Sequence, residues 1–324
     1  MDKFYFITHD NHDAYFNLAS EEYLLKQTDG YYVYLWINEP AVIVGVNQNA
    51  INEVNLAYTE EKGIKVVRRL TGGGTVYHDQ NNLCYTIIAP FNSQEDNYKK
   101  FTGPVIEYLN SLGVKAEFSG RNDITINGKK ISGNAQTVYK NRIMHHGTIL
   151  LNTDMSALEK AIKVNKLKVM SKGISSNRAR VVNLLSLTKD KLTVKEFKDG
   201  LAKKLSENAT TYSFSHEDVK AINKLVDEKY SRFSWNIGAS PKGSNTFTHK
   251  FPFGIISFNF DTIDGKIQNA SITGDFFSKK DIREFENSLN GTRMKNEDII
   301  KAFSTIGDYI VGAEGIEIVN EMLS

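Results

Sequence analysis

The hydrophobic pattern of the first two-thirds of the chain alternates between spacings typical of strands and of helices. Residues 3–8 and 31–37 are rich in aromatic and β-branched side chains, which favour strands. Between them, apolar residues recur at helical spacing. The same reasoning predicts short strands at 41–46, 65–67 and 83–88, and an amphipathic helix at 101–112. This mixture, with several hairpin signals, predicts an α/β (α+β) domain built on a mixed, largely antiparallel sheet.

The pattern changes near residue 240. Residues 240–245 contain a proline and a glycine but no other apolar side chain, which is typical of a linker. Beyond it we predict a strand over 247–260, a turn at Asp264-Gly265, a strand over 266–273 and two helices. The chain therefore divides into a large domain, 1–243, and a small α+β domain, 246–324.

Composition narrows the class of protein. The 324 residues carry a net charge of +2, from 40 basic and 38 acidic side chains, which does not indicate nucleic-acid binding. Cys84 is the single cysteine, so an intrachain disulfide and a Cys-rich zinc site are excluded. Its buried-strand context predicts a core residue rather than a nucleophile. No signal-peptide pattern and no membrane-length apolar run is present, so we expect a cytoplasmic protein with no membrane partner.

A glycine-rich segment follows the strand predicted at 65–67. Three consecutive glycines, Gly72 to Gly74, let the backbone approach a ligand closely and expose its N–H groups. Arg68 and Arg69 lie just upstream and can pair with a carboxylate or a phosphate. The spacing is neither that of a P-loop nor that of a dinucleotide fingerprint. The segment predicts an anion-binding loop; the alternative is a flexible turn with solvated arginines.

Asn127-Gly128, between two alternating segments, predicts a β-hairpin with a two-residue loop. The pairs would be Ile126 with Lys129, Thr125 with Lys130, Ile124 with Ile131, and Asp123 with Ser132. Alternation then places the isoleucines on one face and Asp123, Thr125, Lys130 and Ser132 on the other. Lys130 would lie among polar groups, where its charge can stabilise a phosphate and a developing oxyanion, whereas Lys129 would reach solvent. A surface hairpin with ordinary lysines is the alternative.

Two further segments carry polar chemistry. Residues 165–183 form a long polar and basic stretch, in which Lys172, Gly173 and Arg180 would close over phosphates unless they are simply solvated. His145 and His146 precede a strand, so at most one of them faces a site. Zinc is not expected there, because no third ligand stands nearby at a usual spacing.

In the same order, and over almost the whole chain, these segments resemble those of the bacterial lipoate–protein ligases. The matching residues are Phe16-Asn17-Leu18-Ala19 with Glu21-Glu22, Arg68-Arg69 with Gly72-Gly73-Gly74 and His78-Asp79, Gly120-Arg121-Asn122-Asp123, Lys130 with Ser132-Gly133, His145-His146-Gly147-Thr148, Lys172-Gly173-Ile174 through Arg180, and Trp235-Asn236. Leu70-Thr71 stands where some relatives carry two serines, so a hydroxyl contact from position 70 is absent. The resemblance implies a biotin/lipoate ligase catalytic fold over 1–243 and an accessory domain over 246–324 that reorients during the cycle.

The resemblance also implies the reaction. An ATP-dependent ligase of this type activates free lipoate to lipoyl-AMP, releases pyrophosphate and transfers the lipoyl group to a specific protein lysine. Lys130 matches the family's active-site lysine, and Asp123 is a candidate Mg²⁺ ligand. The implied lipoate- and ATP-binding residues are Arg69, Gly72, Gly73, Gly74, Thr75, Val76, Tyr77, His78, His146, Lys172, Gly173 and Arg180. The implied acceptors are lipoyl domains of 2-oxoacid dehydrogenase E2 subunits and the glycine cleavage H protein, and we expect a monomer.

Three other functions stay open on the sequence. An ATP-independent octanoyl or lipoyl transferase would need a cysteine nucleophile, and Cys84 is the single candidate. A biotin ligase would carry a Gly-Arg-Gly-Arg loop, whereas Gly120-Arg121 continues here as Asn-Asp. A non-catalytic lipoate- or nucleotide-binding module would bind without releasing pyrophosphate. The preference between lipoate and octanoate, the acceptor used and the need for a partner protein are not predicted.

Overall fold

The computed structural model describes residues 3–27, 29–93, 97–120, 122–163, 181–188, 192–237, 245–263, 265–293 and 296–323. The strands in these ranges are β1 (Phe4–Thr8), β2 (Tyr31–Ile37), β3 (Ala41–Val44), β4 (Lys65–Arg68), β5 (Val76–His78), β6 (Asn82–Pro90), β7 (Ala116–Ser119), β8 (Asp123–Ile126), β9 (Lys129–Tyr139), β10 (Arg142–Leu150), β11 (Thr210–Thr211), β12 (Asn245–Phe251), β13 (Gly254–Ile263) and β14 (Lys266–Gly274).

The helices within the same ranges are α1 (Ala14–Leu25), α2 (Ala50–Glu53), α3 (Leu56–Glu61), α4 (Asn97–Ser111), α5 (Met155–Ala161), α6 (Val194–Leu205), α7 (His216–Leu225), α8 (Phe233–Asn236), α9 (Ile282–Leu289), α10 (Asn296–Phe303) and α11 (Gly315–Leu323). Short 3-10 turns occur at Leu184–Ser186 and Ile306–Asp308, and α7 continues into a π-helical turn at Val226–Tyr230. None of the helices described has the length and apolar character needed to cross a membrane.

The largest sheet has eight strands in the order β11-β1-β2-β6-β10-β9-β8-β7. β1 is parallel to β2 and to β11, and the remaining neighbours in this sheet are antiparallel. This arrangement confirms the mixed, largely antiparallel sheet predicted from the sequence. The central strand β6 is buried along its length except at Pro90, because helices cover both faces of the sheet.

Different helices cover the two faces of the large sheet. On one face, Phe101 and Val105 of α4 and Phe197 of α6 pack against Leu35 and Tyr85. On the other face, α1 and α7 pack over side chains such as Trp36 and Met144. The helix α1 is buried nearly all round, because it is enclosed between the sheet, α7 and the π-helical turn.

A second, three-stranded sheet lies over the α1 face. Its order is β4-β3-β5, with β3 parallel to β4 and antiparallel to β5. Ile43 and Val67 of this sheet join the cluster that contains α1, whereas Val42 and Val44 face the opposite way, towards α2 and α5. The loop between β4 and β5, which holds the three glycines, is thereby brought against the large sheet.

The C-terminal part has its own core, built from the antiparallel sheet β12-β13-β14 and the helices α9 to α11. The prediction of a single strand over 247–260 was wrong, because the structure has two strands there, β12 and β13, joined by a turn. Pro252 cannot donate to a strand ladder, and Phe251 pairs with Gly254 across a tight turn in which Gly254 has a φ of 138°. Among the described residues three helices, α9 to α11, follow β14 rather than the two predicted. Asp264 of the predicted turn lies outside the described residues.

Candidate active site

A cavity of about 290 Å³ is lined by residues of both N-terminal sheets. Buried apolar or small side chains line one end, namely Leu18, Trp36, Ile43 and Cys84. Lys130 and Asp123 line the other end, where their side chains are 28% and 32% exposed. The cavity therefore has a closed apolar end and an open charged end, which suits an elongated amphiphilic ligand.

A row of paired residues crosses the large sheet along the floor of this cavity. Trp36 of β2 pairs with Cys84 of β6, and Cys84 pairs with Thr148 of β10. The amide of Gly133 in β9 donates to Thr148 Oγ1 at 3.5 Å, and Gly133 pairs with Asp123 of β8. Neighbouring strands lie about 4.8 Å apart, so the backbones at Cys84 and Asp123, three strands apart, are about 14 Å from each other. The long axis of the cavity thus runs across the strands.

The conformation of the glycine loop is held by the buried guanidinium of Arg69. Its Nη2 donates to the carbonyl oxygens of Gly72 and Gly74 at 2.6 and 2.9 Å, and its Nε donates to Thr71 Oγ1 at 2.9 Å. Burial lowers the pKa of Arg69 to about 10, and the nearby Glu21 carboxylate opposes this effect. The guanidinium therefore stays charged near neutral pH and fixes the loop from behind.

Arg68 points away from the cavity and has a structural partner set. Its Nη1 donates to the carbonyls of Gly45 and Gln48 at 2.8 and 2.6 Å, and its Nε donates to the carbonyl of Trp235 at 2.9 Å. Asn236 Oδ1 in turn accepts from the Arg68 amide at 2.9 Å. The two neighbouring arginines thus have different roles: Arg69 holds the glycine loop, and Arg68 binds carbonyl groups away from the cavity. Trp235 and Asn236 anchor Arg68.

The hairpin that carries Lys130 follows the prediction at its tip and departs from it further along. Asn127 and Gly128 have φ of 52° and 74°, as a type I′ turn requires, and Thr125 pairs with Lys130. Beyond this pair the register shifts by one residue, and Ile124 pairs with Ser132. The predicted pairings of Ile124 with Ile131 and of Asp123 with Ser132 were therefore wrong.

The shift is a β-bulge at Ile131, and it changes the face on which Ser132 lies. Asp123 pairs with Gly133 instead of Ser132. Ser132 is fully buried, and its Oγ lies 3.4 Å from Asn134 Nδ2. It is on the core side of the sheet, together with Tyr85. The polar face proposed from the sequence keeps Lys130, Asp123 and Thr125 but loses Ser132.

Lys130 lies over Gly133 and forms an ion pair with Asp123. The Nζ–Oδ1 distance is 2.8 Å. A Cβ atom on residue 133 would lie 2.6 Å from Lys130 Nζ, so the side chain uses space that only glycine leaves. The amide of Val182 donates to the Lys130 carbonyl at 3.0 Å, which brings the chain after residue 180 to the charged end of the cavity.

Lys172, Gly173 and Arg180 lie outside the described residues, as does Arg121. The described residues on either side of the segment 164–180 are Lys163 and Val181, and both line the cavity.

His146 faces the cavity and His145 faces the opposite side of the sheet. Arg69 Nε–H donates to the Thr71 hydroxyl, which lies 2.8 Å from His146 Nε2, and His146 Nδ1 lies 2.8 Å from Glu21 Oε1. An arginine only donates and a carboxylate only accepts, so with a neutral His146 ring, to which Thr71 donates, a chain of donors runs from Arg69 through Thr71 and His146 to Glu21. No role for Glu21 was predicted from the sequence. In the structure its carboxylate is only 2% exposed, on a helix that is buried nearly all round, and this burial identifies it as part of the site.

The predicted residues of β5 divide between two sides of the strand. Val76 and Tyr77 pair with Ile43 and Val42 of β3 and lie on opposite sides of that sheet. Thr75, just before the strand, donates to Gln48 Oε1 at 2.8 Å. Thr75, Val76, Tyr77 and His78 all line the cavity.

Cys84 and His78 meet at the closed end. Cys84 is 1% exposed, as predicted for a core residue, and its Sγ lies 3.6 Å from His78 Nδ1 and accepts from Asn82 Nδ2 at 3.3 Å. Burial, and next the Glu21 carboxylate, raise the pKa of the thiol well above its ordinary value. A thiolate at Cys84 is therefore strongly disfavoured near neutral pH.

The C-terminal part contacts the glycine loop directly, which no sequence signal indicated. The amide of Gly73 donates to the carbonyl of Phe276 at 3.4 Å, and the Phe277 ring lies against Gly73. Asn47 Nδ2 donates to Ser278 Oγ at 2.6 Å. Phe277 and Asp275 also line the cavity, so the C-terminal part forms one of its walls.

Metal-binding side chains are sparse in the part of the chain that the structure describes. No group of three or more His, Cys, Asp or Glu side chains lies close enough there to hold a metal ion. Asp123 offers a single carboxylate, already paired with Lys130. A divalent cation at this place would need most of its oxygen ligands from a bound nucleotide.

Two family models match the chain. The model described as lipoyl protein ligase A/B catalytic domain matches residues 13–206, and the model described as bacterial lipoate protein ligase C-terminus matches residues 240–322. Lipoate-protein ligase LplJ of Bacillus subtilis is 42% identical over 95% of this chain and 93% of its own length. Lipoate–protein ligase 1 of Staphylococcus aureus is 43% identical over 94% of each chain.

Solved structures with the same fold include ligand complexes. The P. falciparum LipL1 structure in complex with lipoate has a TM-score of 0.79 and 26% identity, and covers 99% of this chain and 97% of that chain. A structure of lipoate-protein ligase A bound with ATP has a TM-score of 0.65 and 25% identity, covering 74% and 100%. A bipartite lipoate protein ligase studied with its E2 lipoyl domain, from Thermoplasma acidophilum, has a TM-score of 0.65 and 26% identity, covering 76% and 100%.

Proposed function

The chain belongs to the lipoate–protein ligase family, and from this premise we propose that it activates free lipoate with ATP and transfers the lipoyl group to a lysine of an acceptor protein. The products of activation are lipoyl-AMP and pyrophosphate. The observation that carries the proposal is the cavity, which has a closed apolar end, Lys130 and Asp123 at its open end, and Gly73 and Gly74 of the glycine loop in its lining.

The dimensions of the cavity suit an acid of this size. An extended eight-carbon chain is about 9 Å long, from ordinary C–C bond lengths. The backbones at Cys84 and Gly133 lie two strands apart, or about 10 Å, on the row that forms the floor. A lipoate with its ring over Cys84 therefore has its carboxylate near Gly133, within reach of Lys130. The lipoate complex of the P. falciparum relative supports this choice of acid.

In the first half-reaction a lipoate carboxylate oxygen attacks the α-phosphorus of ATP. A new P–O bond forms, the bond to the bridging oxygen of the β-phosphate breaks, and pyrophosphate leaves with its electron pair. Lys130 would stabilise the charge that builds on the α-phosphate oxygens. The ATP complex of the related ligase supports ATP as the second substrate.

Arg69 has an indirect role in this proposal. From the sequence we expected its guanidinium to orient the carboxylate and phosphate directly, but its N–H groups are largely used on Thr71, Gly72 and Gly74. Arg69 would act by holding the loop, of which Gly73 and Gly74 line the cavity and would position the anionic groups. The remaining proposed ligand contacts come from Thr75, just before β5, and from the β5 residues Val76, Tyr77 and His78.

Mg²⁺ would enter with ATP as part of the substrate. Asp123 can supply one carboxylate oxygen once a phosphate takes over the contact with Lys130, and the phosphates would supply further ligands. Lys172, Gly173 and Arg180 belong to the proposal as groups that close over the adenylate, since the described residues on both sides of their segment line the cavity.

In the second half-reaction the neutral ε-amine of an acceptor lysine attacks the carbonyl carbon of lipoyl-AMP. The C–N bond forms, the acyl–phosphate C–O bond breaks, AMP leaves as the anion, and the amine releases a proton. Lys130 would again stabilise the negative oxygen. The proposed acceptors are lipoyl domains of 2-oxoacid dehydrogenase E2 subunits and the glycine cleavage H protein, and the lipoyl domain studied with the Thermoplasma ligase supports the first of these. A cytoplasmic monomer is part of the same prediction.

A cysteine-dependent acyl transferase is disfavoured by the surroundings of the only cysteine. Cys84 is buried, and the pKa of its thiol is raised. Its position at the closed end also places its backbone about 10 Å from that of Gly133, near which the acyl carbonyl would lie.

The proposal is tested by following pyrophosphate and AMP with lipoate, MgATP and a purified lipoyl domain or H protein, with mass spectrometry of the acceptor. We expect acid-dependent pyrophosphate release and an acceptor heavier by one lipoyl group. Lys130→Ala should lower the rate of adenylation by about 100-fold or more, since one stabilising group for a developing anion is typically worth this much.

Lys129→Ala is the matched control, because Lys129 is the exposed neighbour at the hairpin tip and should behave as the wild type. Adenylation by Lys130→Ala at the wild-type rate would exclude the role of this lysine. Acceptor modification without ATP would exclude the ligase reaction itself.

A further inference from the structure

A chain of buried hydrogen bonds leads to His78 at the closed end of the cavity. Asn17 Nδ2 lies 3.1 Å from the carbonyl oxygens of Asn11 and Ile37 and 2.9 Å from Asn38 Oδ1. A carbonyl oxygen only accepts, so the atom of Asn17 that faces these two carbonyls must be the amide nitrogen. Asn38 Oδ1 is then an acceptor, and Asn38 must present its amide nitrogen elsewhere.

That nitrogen faces the ring of His78. Asn38 Nδ2 lies 3.1 Å from His78 Nδ1. Since an amide nitrogen only donates, Nδ1 has to accept, and a neutral His78 carries its proton on Nε2. Burial, with further contributions from Arg69 and His146, lowers the pKa of His78 to about 3, so the ring is neutral at physiological pH. The tautomer is therefore set by residues outside the cavity.

The Nε2–H group of His78 lacks a good acceptor among the residues that the structure describes. Its one recorded contact is with Cys84 Sγ, at a distance of 3.9 Å. The surrounding walls are apolar, with the Trp36 ring 5.9 Å from the His78 ring and both Leu18 and Ile43 lining the same end. A buried donor whose partner is a sulfur at 3.9 Å is poorly satisfied, so a ligand atom that accepts from Nε2–H at a shorter distance is stabilised here.

We propose that His78 is a specificity-determining residue, whose fixed Nε2–H group favours an acyl chain that ends in a sulfur acceptor over a chain that ends in hydrocarbon. The inference rests on the proposed function, because it assumes that the carboxylate lies at the Lys130 end. Lipoate and octanoate share the carboxylate and the eight-carbon chain and differ only at the far end. The dithiolane sulfurs accept a hydrogen bond, whereas the methyl end of octanoate leaves the His78 donor unpaired.

The size of the expected preference follows from the weakness of sulfur as an acceptor. When a site hydrogen-bonds a strong acceptor of its substrate, it discriminates against an analogue without that acceptor by several orders of magnitude. One buried methylene group changes the same discrimination ratio by only about 10- to 200-fold. Divalent sulfur is a weak acceptor, so removal of the His78 donor should reduce the preference for lipoate about fivefold. Cys84 Sγ already lies beside this donor, which is consistent with a place that accommodates sulfur.

The test compares the full-length wild type with His78→Phe, which keeps an aromatic ring without the donor. The dissociation constants of lipoate and of octanoate are measured on the same preparations, so that any loss of folded protein cancels in their ratio. We expect the dissociation constant of octanoate divided by that of lipoate to be about fivefold smaller in His78→Phe than in the wild type. His145→Phe is the control: this ring is equally buried but lies on the other face of the sheet, and the ratio should not change.

A second measurement uses the wild type alone. Nitrogen-15 labelling of the seven histidines distinguishes the two tautomers by their long-range couplings to ring protons. We expect His78 to carry its proton on Nε2, and this resonance to shift on addition of lipoate but not of octanoate. A proton on Nδ1, an equal response to both acids, or an unchanged binding ratio in His78→Phe would each overturn the inference.

These outcomes are separate from a failure of the proposed function. A wild type that binds lipoate but releases no pyrophosphate would refute the ligase reaction, and the role of His78 would still be decided by the binding ratio and the histidine spectrum. A wild type that binds neither acid would refute both.

Discussion

The Nζ atom of Lys130 lies 2.6 Å from the point at which a Cβ atom on residue 133 would stand. Gly133 is therefore part of how the lysine is placed, since any side chain there would displace it. We predict that Gly133→Ala lowers kcat/KM for adenylation by about 100-fold, because a misplacement of about 1 Å typically has that effect. The free energy of unfolding should change little, since the displaced side chain is partly exposed and its ion pair contributes little.

Gly103→Ala is the matched control for this variant. Gly103 lies in α4, and a Cβ atom there would meet no other atom within 4 Å. Its replacement should raise stability by about 0.5–1 kcal/mol, through helix propensity, and leave kcat/KM unchanged. Wild-type kinetics for Gly133→Ala would contradict the placement of Lys130.

The chain of donors from Arg69 to Glu21 gives a second prediction. Thr71→Val keeps the shape of the side chain but removes the hydroxyl between Arg69 Nε and His146 Nε2. The free energy of unfolding should fall by about 1–3 kcal/mol, because buried polar groups lose their partner. The rate of adenylation should fall about tenfold or more, because Arg69 then holds the glycine loop less firmly.

Thr59→Val provides the comparison for Thr71→Val. Thr59 is equally buried, and its hydroxyl donates to the Leu56 carbonyl within α3, away from the glycine loop. Denaturant unfolding and kcat/KM measured on both variants separate the effects. A loss of stability with full activity in Thr71→Val would show that the chain of donors does not support the loop.

Local signals in the sequence predicted the local features of the site. Asn127-Gly128 predicted the hairpin because both residues tolerate positive φ, and the pairing of Thr125 with Lys130 follows directly from a two-residue loop. The three glycines predicted a close approach of the backbone to a ligand, which stays a prediction, and in the structure Gly72 and Gly73 lie against Phe277. The alternation of strand residues predicted that His145 and His146 face opposite sides.

Features that depend on distant segments were not predictable from one sequence. The bulge at Ile131 lies in the part of β9 that pairs with β8, shortly before β9 begins to pair with β10 at Asn134, and neither the turn nor the alternation reveals this change of partner. The different tasks of Arg68 and Arg69 depend on partners such as Trp235, which is 167 positions away from Arg68 in the chain. The contact of Phe276 with Gly73 joins two parts of the chain that the sequence describes separately.

Cys84 offers a test between a ligase and a cysteine-dependent transferase. In Cys84→Ala the ligase reaction should continue, with a fall in kcat/KM of less than about tenfold from the loss of packing at the closed end. The loss of a covalent nucleophile would instead reduce transfer by several orders of magnitude. Assays of acceptor modification with and without ATP decide between the ligase and the transferase. Loss of all acceptor modification in Cys84→Ala would favour the cysteine-dependent transferase.

Two fully buried histidines, His78 and His145, contribute to the dependence of stability on pH. Burial, with further contributions from Arg69 and His146, lowers the pKa of His78 to about 3, and burial with a contribution from His146 lowers that of His145 to about 3. In the unfolded chain a histidine has a pKa near 6.5. Between these values the unfolded chain binds protons that the folded chain does not, so stability is lost as pH falls from about 6.5 towards 3.

Each ring should contribute a slope of about 1.4 kcal/mol per pH unit within this window, and His145→Phe should remove one such contribution. Urea unfolding between roughly pH 5.5 and 4.5 measures the slope. Phe101→Leu is the control, because Phe101 packs on the His145 ring and does not titrate, so its replacement should lower stability about equally at every pH. An unchanged slope in His145→Phe would mean that this ring is already protonated in the folded state, which its buried Nε2 without a partner among the described residues argues against.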